Sequence, residues 1–311
     1  MGLARSLLLK ASENQWLARS LPRMAFSRTA VKRFMPGEEL DDALRECGRL
    51  GADGVGTIIT RLGENITNIG EARDVTSHYL SALDDIERNA LPTHLSVKLT
   101  QLGLDLSTEH ATAATKQITT ASLRLKAPVW IDMESSRYTD VTLDVFRRVR
   151  AHNSNVGICV QAYLHRTRDD LDRLLNTTTA IRLVKGAYKE PTTIAFGRKR
   201  DVDQNYIACA KRLLEAVKAG TVGHVPGFAT HDTAIIKKIT QLAQQIGVPR
   251  ERFEFQMLYG IKTAEQQRLA SEGYRLRVLI SYGSAWFAWY MRRLAERPAN
   301  VWFVMKSVFT A

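Results

Sequence analysis

Cysteine is scarce. Among 311 residues there are only Cys47, Cys159 and Cys209, widely spaced and without a CxxC pair. An odd, scattered set supports neither a disulfide framework nor a structural zinc site, and it fits a reducing cytoplasm. No apolar run approaches the roughly 18 residues of a membrane span, so any membrane contact is expected to be peripheral. Walker A, HExxH and GxSxG are missing, and no GxGxxG follows a strand-like segment, so a dinucleotide would not be held in the Rossmann manner. Linkers rich in Pro, Gly or Ser, low-complexity tracts and sequence repeats are also absent, and no boundary inside the main body is visible. The hydrophobic content of 45% suffices for one large core.

The formal charge of +12 would suit an anionic partner, but the bases are scattered rather than gathered into a stripe, which argues against nucleic acid. Residues 1–36 hold Arg5, Lys10, Arg19, Arg23, Arg28, Lys32 and Arg33 against the single acid Glu13. A mitochondrial transit peptide could share that composition. Glu13 and Pro22 interrupt it, however, and Trp16 and Leu17 supply core-like anchors, so a retained basic helical extension is expected. The opening Met-Gly-Leu-Ala-Arg-Ser matches the loose myristoylation pattern, which arises often by chance and is discounted.

What the chain does have is a recurrence. Eight short apolar runs, each ending on or next to a polar residue, lie a helix apart: Val55 to Thr60, Leu95 to Lys98, Val129 to Asp132, Val156 to Gln161, Ile181 to Lys185, Gly227 to His231, Phe253 to Gln256 and Leu276 to Ser281. Segments with helical periodicity separate them, such as Asp203 to Lys218 and Asp232 to Ile246. The pattern predicts an α/β fold, a TIM-type (β/α)8 barrel over residues 37–311, preceded by the extension over 1–36. In such a barrel the strand C-terminal ends meet at one mouth, so Lys98, Asp132, Gln161, Arg182, Lys185, Thr230, His231 and Gln256 are predicted to crowd together there.

Several of these residues invite chemistry. Asp132 ends an apolar strand. A carboxylate there can pair with a substrate amine, bind a metal or cap the next helix; with no second acid or His at ligand spacing, the amine is favoured and no metal is expected. Arg182 lies inside a strand, where an unpaired charge is costly, so it must meet an anion or an electron-rich acceptor. Gly186 either turns the chain or lets the backbone approach something closely. Thr230, His231 and Asp232 could supply a base, a cofactor contact or a helix N-cap. After the eighth strand, a helix from about Trp286 to Ala299 carries Arg292, Arg293 and Glu296. Over a barrel mouth the two guanidiniums would clamp a carboxylate, with Lys98 adding a third positive charge.

Taken together, Leu62-Gly63-Glu64, Ser96-Val97-Lys98-Leu99, Ile131-Asp132-Met133-Glu134, Val160-Gln161-Ala162-Tyr163, Arg182 to Tyr188, Ala229-Thr230-His231-Asp232, Phe255 to Gly260 and Tyr290 to Glu296 resemble the proline dehydrogenase family in content and order. Ser12 to Trp16 is similar to the leading helix of its single-function bacterial members. The resemblance implies an FAD-dependent barrel that oxidises L-proline to Δ1-pyrroline-5-carboxylate by hydride transfer from C5 to flavin N5. It further implies that electrons pass to a membrane quinone, in a cytoplasmic protein that touches the inner membrane peripherally. By matching position, Arg292, Arg293 and Lys98 would hold the substrate carboxylate, Asp132 would lie by the amine, and Tyr188 and Leu258 would wall the ring pocket. Glu64 would pair with Arg292 as a lid. Gln161 and Arg182 would meet the isoalloxazine, and Val184, Gly186, Lys199, Thr230, His231 and Glu296 the rest of FAD.

One stretch departs from the family. Where the family usually reads Arg-Val-Tyr-x-Pro, this chain has Arg277-Val278-Leu279-Ile280-Ser281, so a pocket tyrosine is replaced by Leu279 and a proline by Ser281. A related cyclic or N-alkyl amino acid such as 4-hydroxyproline therefore stays open as substrate. Two other readings are a lyase using Lys98 or Lys185 as a Schiff base and a non-catalytic amino-acid-binding barrel. Buried charges kept without a ligand argue against the last. Oligomeric state is left open by the sequence.

Overall fold

The computed structural model describes residues 33–63, 66–177, 180–222 and 224–286. Glu64, Arg292, Arg293 and Glu296, nearly all of the expected extension and the expected last helix beyond Trp286 lie outside them. Eight parallel strands follow in order: β1 Gly56–Arg61, β2 Thr93–Val97, β3 Val129–Ile131, β4 Val156–Gln161, β5 Ala180–Val184, β6 Gly227–Ala229, β7 Glu254–Leu258 and β8 Arg275–Tyr282. Each pairs with the next, and β8 returns to β1, from Gly56 beside Arg277 to Arg61 beside Tyr282, closing the barrel. The helices are α1 Leu40–Ala52, α2 Ile69–Arg88, α3 Thr108–Ala121, α4 Thr139–Arg150, α5 Thr167–Leu175, α6 Lys199–Ala219, α7 Thr233–Ile246 and α8 Thr263–Ser271. All eight expected runs are strands, shifted by a few residues at their ends. Side-chain caps open several helices: Asn68 accepts from the Glu71 N–H, Ser107 from His110 and Asp232 from Ala234.

Alternation along the strands separates two cores. Outward residues such as Ile59, Leu95, Ile131, Ile158, Leu183, Phe228, Phe255 and Val278 join helix residues such as Tyr79, Phe146, Tyr206, Leu213 and Ile239 in one large apolar shell. The inner face is different. Its apolar part is a small plug of Ile58, Trp130 and Ala180 with Leu279 against it, whereas Ser96, Arg182, Glu254, Gln256 and Arg277 are buried polar residues. A barrel is ordinarily filled by layers of branched aliphatics; this one is filled largely by charge and hydrogen bonds.

Trp130 fits only because β4 has a glycine beside it. A Cβ on Gly157 would stand 2.6 Å from the indole and 3.1 Å from the Ala180 methyl. On the outside, α2 is tied to the closing seam by His78, whose Nε2 lies 2.8 Å from the Tyr282 hydroxyl. Burial, and secondarily the Arg61 charge, hold the His78 imidazole down at about 4.

Two expectations follow from this packing. Gly157→Ala should destabilise the fold by about 1–3 kcal/mol, the usual cost of overpacking, read from denaturant unfolding; an unchanged midpoint would mean that the indole has room to move. Folded His78 takes up a proton only near pH 4, whereas an unfolded imidazole does so near 6.5, so protons favour the unfolded chain in between. The contribution is present above pH 6.5 and is lost as pH falls towards 4. Unfolding free energies across that window should decline in the native chain and decline less in His78→Gln; identical slopes would refute the assignment.

Candidate active site

Three charged side chains, from the ends of β2 and β3 and from within β5, form the floor of the mouth. Lys98, just after β2, donates to Asp132 Oδ2 at 2.8 Å, and Arg182 in β5 donates through Nη1 to Asp132 Oδ1 at 2.9 Å. Ser96 donates its hydroxyl to the same Oδ1 at 2.7 Å and accepts from Arg182 Nη1 at 3.0 Å. Burial opposes the charge on Lys98, but the neighbouring Asp132 outweighs it and raises the ammonium above its ordinary range. Burial likewise opposes the Asp132 charge, and Lys98 and Arg182 overcome it, holding the carboxyl low. Lys98 and Asp132 thus stay ionised beside the Arg182 guanidinium. Trp130 covers the Arg182 guanidinium, its ring centroid 4.6 Å from Cζ.

Above this floor opens a cavity of about 700 Å³ lined by all eight residues expected at the mouth. Of the residues that the family resemblance singles out, Lys98, Asp132, Gln161, Arg182, Val184, Gly186, Tyr188, Lys199, Thr230, His231 and Leu258 line it too. Leu279 and Ser281 contribute to its wall. Besides the Thr60 hydroxyl, two buried polar atoms of the lining lack a hydrogen-bond partner among the described residues: Arg182 Nη2, a donor, and Gln161 Oε1, an acceptor. Buried groups of that type are ordinarily satisfied. The edge of an isoalloxazine offers both carbonyl acceptors and an N–H donor, so this pair fits a flavin ring. A close backbone approach exists as well: Gly186 has φ 109°, and a Cβ there would fall 2.1 Å from the Tyr163 ring.

The rim is held by an ion cluster. Lys185 donates to Asp203 at 2.5 Å and to Asp232 at 2.9 Å, and Lys199 contacts the same two carboxylates. Asp232, besides capping α7, is kept down at about 2; its partial burial works against this, and Lys185 and Lys199 prevail. His231 has a different task. Its Nε2 accepts the Leu258 N–H at 2.8 Å, which fixes the end of β7 and the side chain of Leu258 beside the cavity. The loop bearing Tyr188 is strapped down at two points beyond that residue. Phe196 N–H donates to the Tyr163 carbonyl at 2.8 Å, and Glu190 accepts from the Ser136 N–H at 2.8 Å and its hydroxyl at 2.6 Å.

Open alternatives narrow accordingly. Asp132 caps no helix; Asp232 performs the capping in its own segment. Lys98 does not suit a Schiff-base lyase, which needs a neutral amine, because its ammonium is raised rather than lowered; Lys185 is engaged by the Asp203 and Asp232 carboxylates. Among the described residues no group of three His, Cys, Asp or Glu is arranged to hold a metal ion. Sequence reasoning overlooked Ser96, Trp130, Glu254 and Arg277, and gave Gln256 a location without a role. Glu254 and Arg277 did carry a signal, since each is a charge inside an apolar run, as Arg182 is.

Comparison with known proteins identifies the family. A family model described as proline dehydrogenase matches residues 43–306. Proline dehydrogenase 1 of Bacillus subtilis strain 168 is 36% identical over 306 residues, which cover 98% of this chain and 99% of that protein. The proline dehydrogenase of Deinococcus radiodurans is 34% identical, with 89% of each chain covered. Among solved structures, proline utilization A from Bdellovibrio bacteriovorus, inactivated by N-propargylglycine, superposes with a TM-score of 0.79 at 26% identity over 86% of this chain. The match spans about a third of that longer protein, 32% of its length. With a family match over most of its length and full-length relatives above 30% identity, this chain belongs to the proline dehydrogenase family.

Proposed function

We propose that the chain oxidises L-proline to Δ1-pyrroline-5-carboxylate with FAD and passes the electrons to a membrane quinone. The observation that carries this reading is the Lys98–Asp132–Arg182 floor beneath a cavity whose buried Arg182 Nη2 and Gln161 Oε1 await partners. When bound, FAD supplies the acceptor for a hydride leaving proline C5. Gln161 and Arg182 serve its ring, and Val184, Gly186, Lys199, Thr230 and His231 its remaining length, together with Glu296.

The protein's own groups do the orienting. Lys98 holds the substrate carboxylate, a role that the family resemblance also assigns to Arg292 and Arg293, with Glu64 as their counter-charge. Tyr188 and Leu258 wall the ring, so that C5 has one orientation and the reaction draws on proximity. Loss of a hydride from C5 and a proton from nitrogen leaves a C=N bond, which requires a neutral secondary amine. The Lys98 and Arg182 cations disfavour the ammonium, while Asp132 draws the N–H into place. Among the described residues no helix is long and apolar enough to cross a membrane. Delivery to a quinone would use peripheral contact, to which the basic balance of the chain is suited.

Leu279 favours a second substrate reading. It packs in the barrel against Ile58, Trp130 and Ala180 and lines the cavity, and a leucine there makes no hydroxyl contact with a ring. A substituted ring such as that of trans-4-hydroxy-L-proline then meets a wall of altered volume and polarity.

Two measurements test these readings. Anaerobic addition of L-proline to the FAD-reconstituted protein should bleach the visible flavin band; a protein that takes up no FAD would sink the assignment. Leu279→Tyr should lower kcat/KM for trans-4-hydroxy-L-proline relative to L-proline by about tenfold or more, the scale of a single pocket contact. An unchanged ratio would remove Leu279 as a determinant of specificity.

A further inference from the structure

Beneath Arg182 the barrel interior holds a polar column that the proposed chemistry leaves unused. Arg182 Nε donates to Gln256 Oε1 at 2.6 Å, and Gln256 Nε2 donates to Glu254 Oε1 at 2.5 Å. Glu254 accepts through its other oxygen from Arg277 Nε at 3.3 Å. Arg277 in turn hangs from two backbone carbonyls, Thr57 at 3.1 Å and Pro92 at 3.0 Å. Glu254 and Gln256 are each only 3% exposed. Glycines make the room: a Cβ on Gly227 would lie 2.4 Å from Gln256 Nε2, and one on Gly56 would lie 2.8 Å from Arg277 Nη1.

The orientation of Gln256 is set from both ends. A guanidinium only donates and a carboxylate only accepts, so a reversed amide would oppose donor to donor above and acceptor to acceptor below. The Glu254 charge therefore turns the negative end of the amide dipole towards Arg182. With Nε held by Gln256, Nη1 by Asp132 and Ser96, and the guanidinium face covered by Trp130, Nη2 is the nitrogen left over for a ligand.

We infer that Gln256, Glu254 and Arg277 are positioning residues for Arg182, fixing which guanidinium nitrogen the cofactor meets. The inference rests on the FAD reading above. Without the column, Arg182 keeps its charge and its Asp132 contact but can turn about its stem, so the cation is no longer delivered at one place. A cation held at the ring favours the electron-rich reduced state, and a misaimed one favours it less.

The test is Gln256→Leu, which removes both amide contacts at similar volume, with Glu254→Gln as a second variant that keeps shape and removes only the anion. Each is loaded with FAD, and flavin content, midpoint potential and proline kinetics are measured. In Gln256→Leu the preference for reduced over oxidised flavin should fall about tenfold, which is about 30 mV for a two-electron couple. Its kcat should fall about ten- to a hundredfold, as for a small misplacement, with KM changed by less than about threefold. Glu254→Gln should shift the potential in the same direction by less, and it decides the matter if Gln256→Leu does not fold. A folded variant with a lower melting temperature but unchanged potential and kcat would overturn the inference, reducing the column to packing. If the native chain takes up no FAD, the cofactor reading fails first and this inference with it.

Discussion

Arg182 carries a permanent charge into the middle of a closed barrel with 3% of its surface exposed, and a charge so placed must be surrounded by acceptors or it would unfold the site. Much of the interior answers that demand. Asp132 supplies the opposite charge, Gln256 a carbonyl, Ser96 a hydroxyl oxygen and Trp130 a π-face. Removing one member of such a buried pair costs about 3–5 kcal/mol, because the charge left behind has no water to return to. The aliphatic filling typical of barrels has accordingly been displaced from this level. Hydrophobic stabilisation is moved outward, into the shell between strands and helices.

The same arrangement explains why the mouth is chemically ready before any ligand arrives. Lys98 and Asp132 hold each other ionised beside Arg182, so neither needs to change protonation state to meet an amino acid carboxylate or an electron-rich ring. The rim obeys the same logic at greater exposure: Lys185 and Lys199 share Asp203 and Asp232. Rim pairs of this type are screened by solvent and hold loops in place more than they stabilise the fold. The floor pairs, shielded from water, set the electrostatics.

How much of this was legible in the sequence depended on whether the signal was local. The eight strands were, because a strand covered by helices reads as a short apolar run, and its end reads as the polar residue that breaks it. Their lateral partners were not. Asp132 and Arg182 lie fifty residues apart, and nothing along the chain states that Lys98 and Arg182 divide the two oxygens of one carboxylate. His231 shows the limit in another way. Base, cofactor contact and cap were all compatible with Thr230-His231-Asp232, whereas the observed bond to the Leu258 N–H depends on the register of β6 beside β7. Glu254 and Arg277 were within reach: the rule that marks a charge inside an apolar run as needing a partner applies to both, and each answers the other.

A barrel filled with leucine and valine in place of this column would be at least as stable, since well-packed apolar groups commonly match or exceed buried ion pairs of similar volume. Stability therefore does not account for Arg277, Glu254 and Gln256. Nor do Gly56 and Gly227, which weaken strands by removing side chains and whose observed effect is to admit Arg277 and Gln256. A costly set of charges and two glycines at matching positions make sense together if what is being held is an orientation. The guanidinium of Arg182 ends up with one nitrogen uncommitted, and every other contact around it keeps that nitrogen the same one.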